Sequence, residues 1–422
     1  MQISKQNLLP FLVNCSISFF FLSVLAFKGG HNIAPFFLIA LGIGYGVYGL
    51  FKKFKWNLSK EDKWLIYSYI FYFAVFLLSL LMNDGRGREL DNPSRAVLLI
   101  PALMLLLRMP LKLCALIYAI PLGSVIAGLV ALYDKFVLHS QAAYGLRTIY
   151  IQAGDISMSF GLFSLVIGLY YWQKSQRKMT ALCIVASLFG ILGSILSTAR
   201  GGWVALPIIF IVVLWIYRHS LSKGFFFVLA TVFVIAITGV TNMPNSRVME
   251  RLSFIQSDIS NYEKNNANTS LGLRFDMWKS AILMIKEKPI FGWGADGATE
   301  KRKQDVKVKA VRGNIGQFDH AHNQYLDDLS KRGIVGFIAF LGILLVPLRQ
   351  FSLRLNSSSS DIKLLATLGT VHILSVMIYC LSQGFFTHNS GNLFYFFLTL
   401  VFYAMLKQME KSPLEEQSWK KS

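Results

Sequence analysis

Two arginines and a histidine of this 422-residue chain sit in patterns that give their side chains a direction. Arg200 lies in Ser197-Thr-Ala-Arg-Gly-Gly-Trp203, between two apolar runs, which puts it at a membrane surface where a helix begins. Free N–H groups and glycines at a helix start favour anions, and a guanidinium beside them can grip a phosphate through two parallel hydrogen bonds. The segment fits equally an interfacial arginine that snorkels to water beside a belt tryptophan. Arg274 starts a helical pattern containing Trp278, Ala281, Ile282 and Ile285, and stands on their apolar face. Solvated arginines more often take the opposite face. Pointing inward at a helix start, Arg274 can help neutralise an anion; an exposed arginine or a partner for Asp276 is the plainer alternative.

His322 belongs to His320-Ala-His-Asn-Gln-Tyr-Leu-Asp-Asp-Leu-Ser-Lys-Arg-Gly333-Ile-Val-Gly336. A helix continuous through this segment places His322, Leu326, Leu329, Gly333 and Gly336 on one stripe, where the glycines let a second helix approach below the imidazole. An imidazole held there, with an ordinary pKa of about 6.5, suits general-base work. A loop or capping histidine fits the same residues. His320 is offset from the stripe and ranks below His322. Arg95, in Pro93-Ser-Arg-Ala-Val-Leu-Leu99, is a weaker candidate, because the last charge before a span has an ordinary topological explanation. His31, His388 and Asp155 read as helix-end and turn residues. Asp327 and Asp328 point about 100° apart on a helix, a poor arrangement for chelation, so no metal is expected. The sequence has no phosphate-binding glycine loop with Lys-Ser/Thr, no H-E-x-x-H, no paired CxxC and no G-x-S-x-G. No cofactor is expected.

The elements that must position these groups are membrane helices. Hydrophobic residues make up 54% of the chain, charged residues 15%, and the mean hydropathy is +0.49, which excludes an ordinary soluble enzyme. Apolar runs fall near 11–27, 33–51, 64–82, 95–107, 113–132, 153–172, 179–197, 203–217, 224–241, 333–348, 364–384 and 392–406. The fold class is therefore all-α, a polytopic bundle of about twelve transmembrane helices. Residues 1–241 hold nine helices, 242–332 a large, partly helical outward loop, 333–406 three more helices, and 407–422 a solvated tail without a fold of its own. The first run has no small-residue cleavage motif after it and reads as a retained span. Cys15, Cys114, Cys183 and Cys380 fall inside apolar runs and read as packing residues.

The net charge of +20 is no nucleic-acid signature, because the basic residues flank the spans in short groups. With both termini inside, twenty of the 42 Lys and Arg residues lie in inside segments and seven in short outside ones, as the positive-inside rule requires. The long loop carries the other fifteen and is too long for that rule to count. Within it, Val248, Leu252, Ile255 and Ile259 mark a first amphipathic helix, and the helix of Arg274 should stop at Pro289 before the turn Phe291-Gly-Trp-Gly-Ala-Asp-Gly297. Residues 260–271 and 298–318 read as polar and mobile.

Together these segments resemble the O-antigen ligases of the Gram-negative inner membrane and the wider family that includes the O-antigen polymerases. The most specific part is His322-Asn323, nine residues, then Gly333 and Gly336, which matches the ligase pattern of His, then Asn, Ser or Gln, nine residues, Gly, two residues, and Gly, Thr or Tyr. Arg200 and Arg274 match the family's two essential arginines by position, and Arg95 with Leu99 fits its R-x3-L pattern. The resemblance implies a multi-pass inner-membrane enzyme with its site facing the periplasm. It would transfer O-polysaccharide from undecaprenyl diphosphate to a sugar hydroxyl of lipid A-core, without nucleotide or metal. His322, Arg274 and Arg200 would be catalytic, and Arg95, Asn323, Gly333 and Gly336 would line the substrate site. An O-antigen polymerase and a lipid-linked oligosaccharide flippase are the alternatives; a flippase would be expected to place ionisable residues deep within its spans.

Overall fold

The structure, a computed structural model, describes residues 5–241 and 248–419; the side chains of 5–6, 236–237, 240–241, 248–252 and 412–419 fall outside that description. The expected Val248 and Leu252 side chains, and the loop's first residues 242–247, therefore lie outside it.

The described chain is helical throughout. Among the described residues, nine helices are long and apolar enough to cross a membrane: Gly30–Phe51, Lys60–Met82, Cys114–Val137, Tyr150–Gln173, Arg177–Leu196, Arg200–Ser220, Gln324–Ser352, Ser360–Tyr379 and Asn389–Lys411. Three shorter apolar helices, Asn7–Ser23, Ser94–Leu106 and Lys223–Ile235, coincide with the remaining expected spans. Ser94–Leu106 is broken, as Ser94–Leu98 and Ile100–Leu106, where Pro101 starts the second piece.

Tyr150–Gln173 is the central post, buried along its whole apolar length. It packs on Ala119–Leu132, Arg177–Leu196, Arg200–Tyr217 and Ser360–Tyr379. Because lipid gives helices no hydrophobic reason to associate, close backbone approach and cross-helix hydrogen bonds must do so. Gly161 and Gly190 face one another where the post crosses Arg177–Leu196, and a Cβ on Gly190 would meet the Gly161 backbone. Beside this crossing Ser157 donates to the Gly190 carbonyl (2.8 Å), and Ser124 to that of Ala186 (2.7 Å).

The long loop is more ordered than its composition suggests. Helices Val248–Glu263, Ser270–Glu287 and Ala295–Lys307 lie within it, so much of 298–318 is helix where mobility was expected. That third helix has almost no apolar periodicity to betray it. What it buries is Ala298, Arg302 and Asp305, while Val306 packs with Phe318 and Leu273 around Met277, Val311 and Ile315. In the first loop helix Ile259 is exposed and Asp258 buried, accepting from the Leu271 N–H, so the expected apolar stripe does not define its inner face.

The first residues of the expected solvated tail instead belong to the bundle. The last helix continues to Trp419. Gln408 donates to the Leu106 and Met109 carbonyls (both 2.6 Å), and Lys407 pairs with Glu61 (2.8 Å) and Glu410 (3.1 Å). Residues 420–422 lie outside the description.

Candidate active site

His322 does not stand on a helix. Asn323 is the N-cap of Gln324–Ser352, its side-chain oxygen accepting from the Tyr325 and Leu326 N–H groups, and His322 precedes it with φ of 48°. The expected continuous stripe therefore fails at its first residue, and it fails again at Gly333, where φ is 61° and the helix kinks. Gly333 receives backbone, as anticipated, but from the loop and not from a second helix: a Cβ there would collide with Ile290. The Ile334 N–H donates to the Pro289 carbonyl (2.8 Å), and the Trp293 and Gly294 N–H groups donate to the Ser330 and Lys331 carbonyls (3.1 and 2.8 Å). The glycine-rich turn, with φ of 69° at both Gly292 and Gly294, thus staples the loop to the bundle. Gly336 leaves room for the Arg332 side chain of its own helix. Asn323, Gly333 and Gly336 shape the backbone here.

Arg274 lies in the first turn of Ser270–Glu287, behind the Thr269 cap, whose hydroxyl accepts from the Gly272 N–H. The helix buries Met277, Ser280, Ala281 and Met284 and leaves Ile282 exposed, a face rotated from the expected one. Trp278 nonetheless shares the Arg274 side and donates from its indole nitrogen to the Ala321 carbonyl (3.1 Å), bringing this helix against the histidine segment. Asp276, the alternative partner for Arg274, is committed elsewhere. It is buried and accepts from the Tyr262 hydroxyl (2.9 Å) and from the Arg312 (2.7 Å) and Gly313 N–H groups.

Arg200 is the first residue of Arg200–Tyr217. The two glycines after it pack against Asp155 of the central post, whose carboxylate accepts from the Gln383 amide. Asp155 thus stands beside the helix start expected to hold an external anion, and what Arg200 offers is its side chain. That guanidinium acts on Arg274: burial first, and then the Arg200 charge, lowers the pKa of Arg274, with Tyr150 opposing. Burial, then His320, then Arg274 hold His322 down at about 4, against the opposing pull of Asp319 and Asp327. The imidazole is therefore neutral in the empty site. Arg200, Arg274 and His322 come from three distant parts of the chain; the charge of Arg200 acts on Arg274, and that of Arg274 on His322.

His320, ranked second on sequence, occupies the other side. Its ring centre is 4.2 Å from that of His322 and 6.1 Å from that of His388, and its Nδ1 meets the Asp319 carboxylate. His320, His388, His31 and Arg95 line a cavity of about 1110 Å³ between loop and bundle, together with Gln324 and Asn389. Arg95 is fixed there by donating to Asn389 Oδ1 (3.2 Å) and lies over the Phe36 ring at 5.3 Å. Periodicity could not single out His31 and His388, because only the tertiary fold brings them to the cavity.

The class defined by this fold and site is a multi-pass helical membrane protein with an arginine-and-imidazole pocket at the seam between one long loop and the bundle. Residues 185–341 match the O-Antigen ligase family, a range that holds Arg200, Arg274, His322, Gly333 and Gly336 but not Arg95. The chain belongs to the O-antigen ligase family. It is also 43% identical over 399 residues to an uncharacterized protein of Haemophilus influenzae, covering 94% of this chain and 99% of that protein. Membership points to a membrane glycosyltransferase-like enzyme of O-antigen ligase or polymerase type, acting on lipid-linked polysaccharide.

Proposed function

We propose that the protein joins O-polysaccharide, carried on undecaprenyl diphosphate, to a sugar hydroxyl of lipid A-core at the periplasmic face of the inner membrane. The observation that supports this reading is the docking of the Arg274 helix on the histidine segment through the Trp278–Ala321 hydrogen bond, with the charge of Arg200 acting on Arg274 and that of Arg274 on His322. The arginines hold the diphosphate and stabilise the charge that grows on it as the glycosidic bond breaks. The acceptor oxygen attacks the anomeric carbon from the opposite side, its proton passes to His322, and undecaprenyl diphosphate leaves. Such a displacement inverts the anomeric centre. The diphosphate charge offsets Arg274, which otherwise suppresses proton uptake by His322, so donor binding itself raises the basicity of the imidazole. The cavity on the His320 side, with Arg95, gives the acceptor sugars room in water while the lipid tail stays in the bilayer.

Purified protein, lipid-linked O-antigen and rough lipopolysaccharide should give ligated product, unchanged by a chelator. An O-antigen polymerase shares the donor but uses a second lipid-linked chain as acceptor. Elongation of lipid-linked chains, with rough lipopolysaccharide left untouched, would replace the ligase reading with that one. Labelled donor crossing vesicles without any glycosyl product would instead point to a flippase.

A further inference from the structure

Three charged side chains to which the reaction above gives no role converge on the four residues leading into His322, and two of them, Asp327 and Lys331, also line the cavity. Arg302, on the loop helix Ala295–Lys307, is fully buried and donates from Nη1 to the Phe318 carbonyl (2.9 Å). Lys331 donates from Nζ to the Asp319 carbonyl (2.7 Å). Asp327 accepts the Ala321 N–H on Oδ1 (3.0 Å) and pairs through Oδ2 with Lys331 (2.8 Å), while Arg302 Nη2 lies 3.7 Å from Oδ1. Trp278 takes the Ala321 carbonyl from the other side.

Burying an arginine, a lysine and an aspartate costs more than such a pair returns unless geometry and hydrogen bonding are excellent. Hydrophobic residues of similar volume would hold loop and bundle together as well or better, so stability alone is a poor reason for this cluster. What it supplies is direction. Its bonds go to Phe318, Asp319 and Ala321, on both sides of His320 and up to the residue before His322, whose left-handed backbone (φ 48°) is costly for a residue with a Cβ.

We propose that Asp327, with Arg302 and Lys331, is a positioning clamp for the histidine segment: it fixes the main chain of residues 318–321, and so aims His322 at the acceptor hydroxyl and His320 at the cavity. Because Arg302 comes from the loop and the other two from the bundle helix, the imidazoles are aimed only when the loop is docked. This rests on the ligase reading only for the choice of assay, since any glycosyl transfer that uses His322 as base needs the same aim.

The test is Asp327→Asn, assayed as purified full-length protein with lipid-linked O-antigen and rough lipopolysaccharide beside wild type and His322→Ala. A misdirected base loses turnover and not donor affinity, so kcat should fall about a hundredfold while the donor KM stays within about twofold. Losing the carboxylate that favours the His322 imidazolium also moves the acid limb of the rate profile to lower pH, a change that loose packing alone would not produce. Wild-type kcat and an unmoved limb in Asp327→Asn, beside an inactive His322→Ala, would overturn the clamp and leave the ligase reading standing. Full activity in His322→Ala would overturn the base assignment instead. If Asp327→Asn does not fold, Lys331→Met takes its place with the same expected drop in kcat, and an unchanged kcat there overturns the clamp.

Discussion

Two charged clusters at opposite ends of the helix bundle treat charge in opposite ways. At the end away from the long loop, carboxylates and cations are matched: Arg354 pairs with Glu61 (2.7 Å) and Glu410 (2.5 Å), Lys407 pairs with both, and Lys174 with Asp361 (2.9 Å). At the loop end, Arg274 meets the charge of Arg200, and His322 packs on His320 with Arg274 close enough to lower its proton affinity. The first arrangement sets opposite charges together. The second sets like charges together in partly buried surroundings, an arrangement that the diphosphate proposed above would relieve.

The contrast can be broken most sharply at His322. His322→Ala should lower turnover by about a hundredfold to ten-thousandfold, measured as ligated product per enzyme. The wild-type pH profile carries the same information. Rate requires neutral His322, so kcat/KM should hold from neutral pH down to the region of the free-site pKa, about 4, and fall below it. The kcat profile, which reports the donor-bound site, should turn down at a higher pH, because the diphosphate favours the imidazolium. Stability follows the same group: an imidazole held at about 4 in the fold against an ordinary 6.5 takes up a proton on unfolding, so this contribution is present above about 6.5 and declines as the pH falls towards 4. A kcat/KM limb near 6.5 would show that burial and the neighbouring cations do not act on His322.

Arg274→Ala should cost about a hundredfold in kcat. It should also raise the kcat/KM limb of His322, since a cation opposing its protonation is gone. Gly333→Ala should lower thermal stability in detergent by about 1–3 kcal/mol, because the kink needs a left-handed residue and its missing Cβ is the space occupied by Ile290. At the matched end, Arg354→Ala should cost about 1 kcal/mol of stability and leave ligation within about twofold of wild type. A large loss of turnover there would mean that the two ends are coupled and the contrast is too simple.

Much of this was legible in the sequence. Apolar runs of bilayer length located each span, and the three candidate residues that the fold brings together, Arg200, Arg274 and His322, had been marked by their neighbours. The stripe of His322, Gly333 and Gly336 fails because helical spacing does not hold across Asn323 and Gly333, where the chain is not helical. Asn323, a residue type favoured as an N-cap, was the available sign that the helix starts after His322. The buried face of Ala295–Lys307 was invisible for a different reason. Its central residue is an arginine, and a charged side chain reads as inner only when its partners, here Asp327 and the Phe318 carbonyl, are known to be adjacent.

The central post bears on how the protein is made. Tyr150–Gln173 never faces lipid in the finished molecule, and it carries Gln152, Asp155, Ser157, Ser159 and Ser164 at a mean hydropathy of 1.4, below that of most of its neighbours. When it leaves the ribosome, three of the helices that will cover it, Arg177–Leu196, Arg200–Tyr217 and Ser360–Tyr379, have not yet been synthesised. Ser159 and Ser164 bond to carbonyls of their own helix, but Gln152, Asp155 and Ser157 have partners at Phe385, Gln383 and Gly190 and must wait for the chain to catch up. A segment chosen for the completed fold is, for a time during biogenesis, a poor lodger in the bilayer.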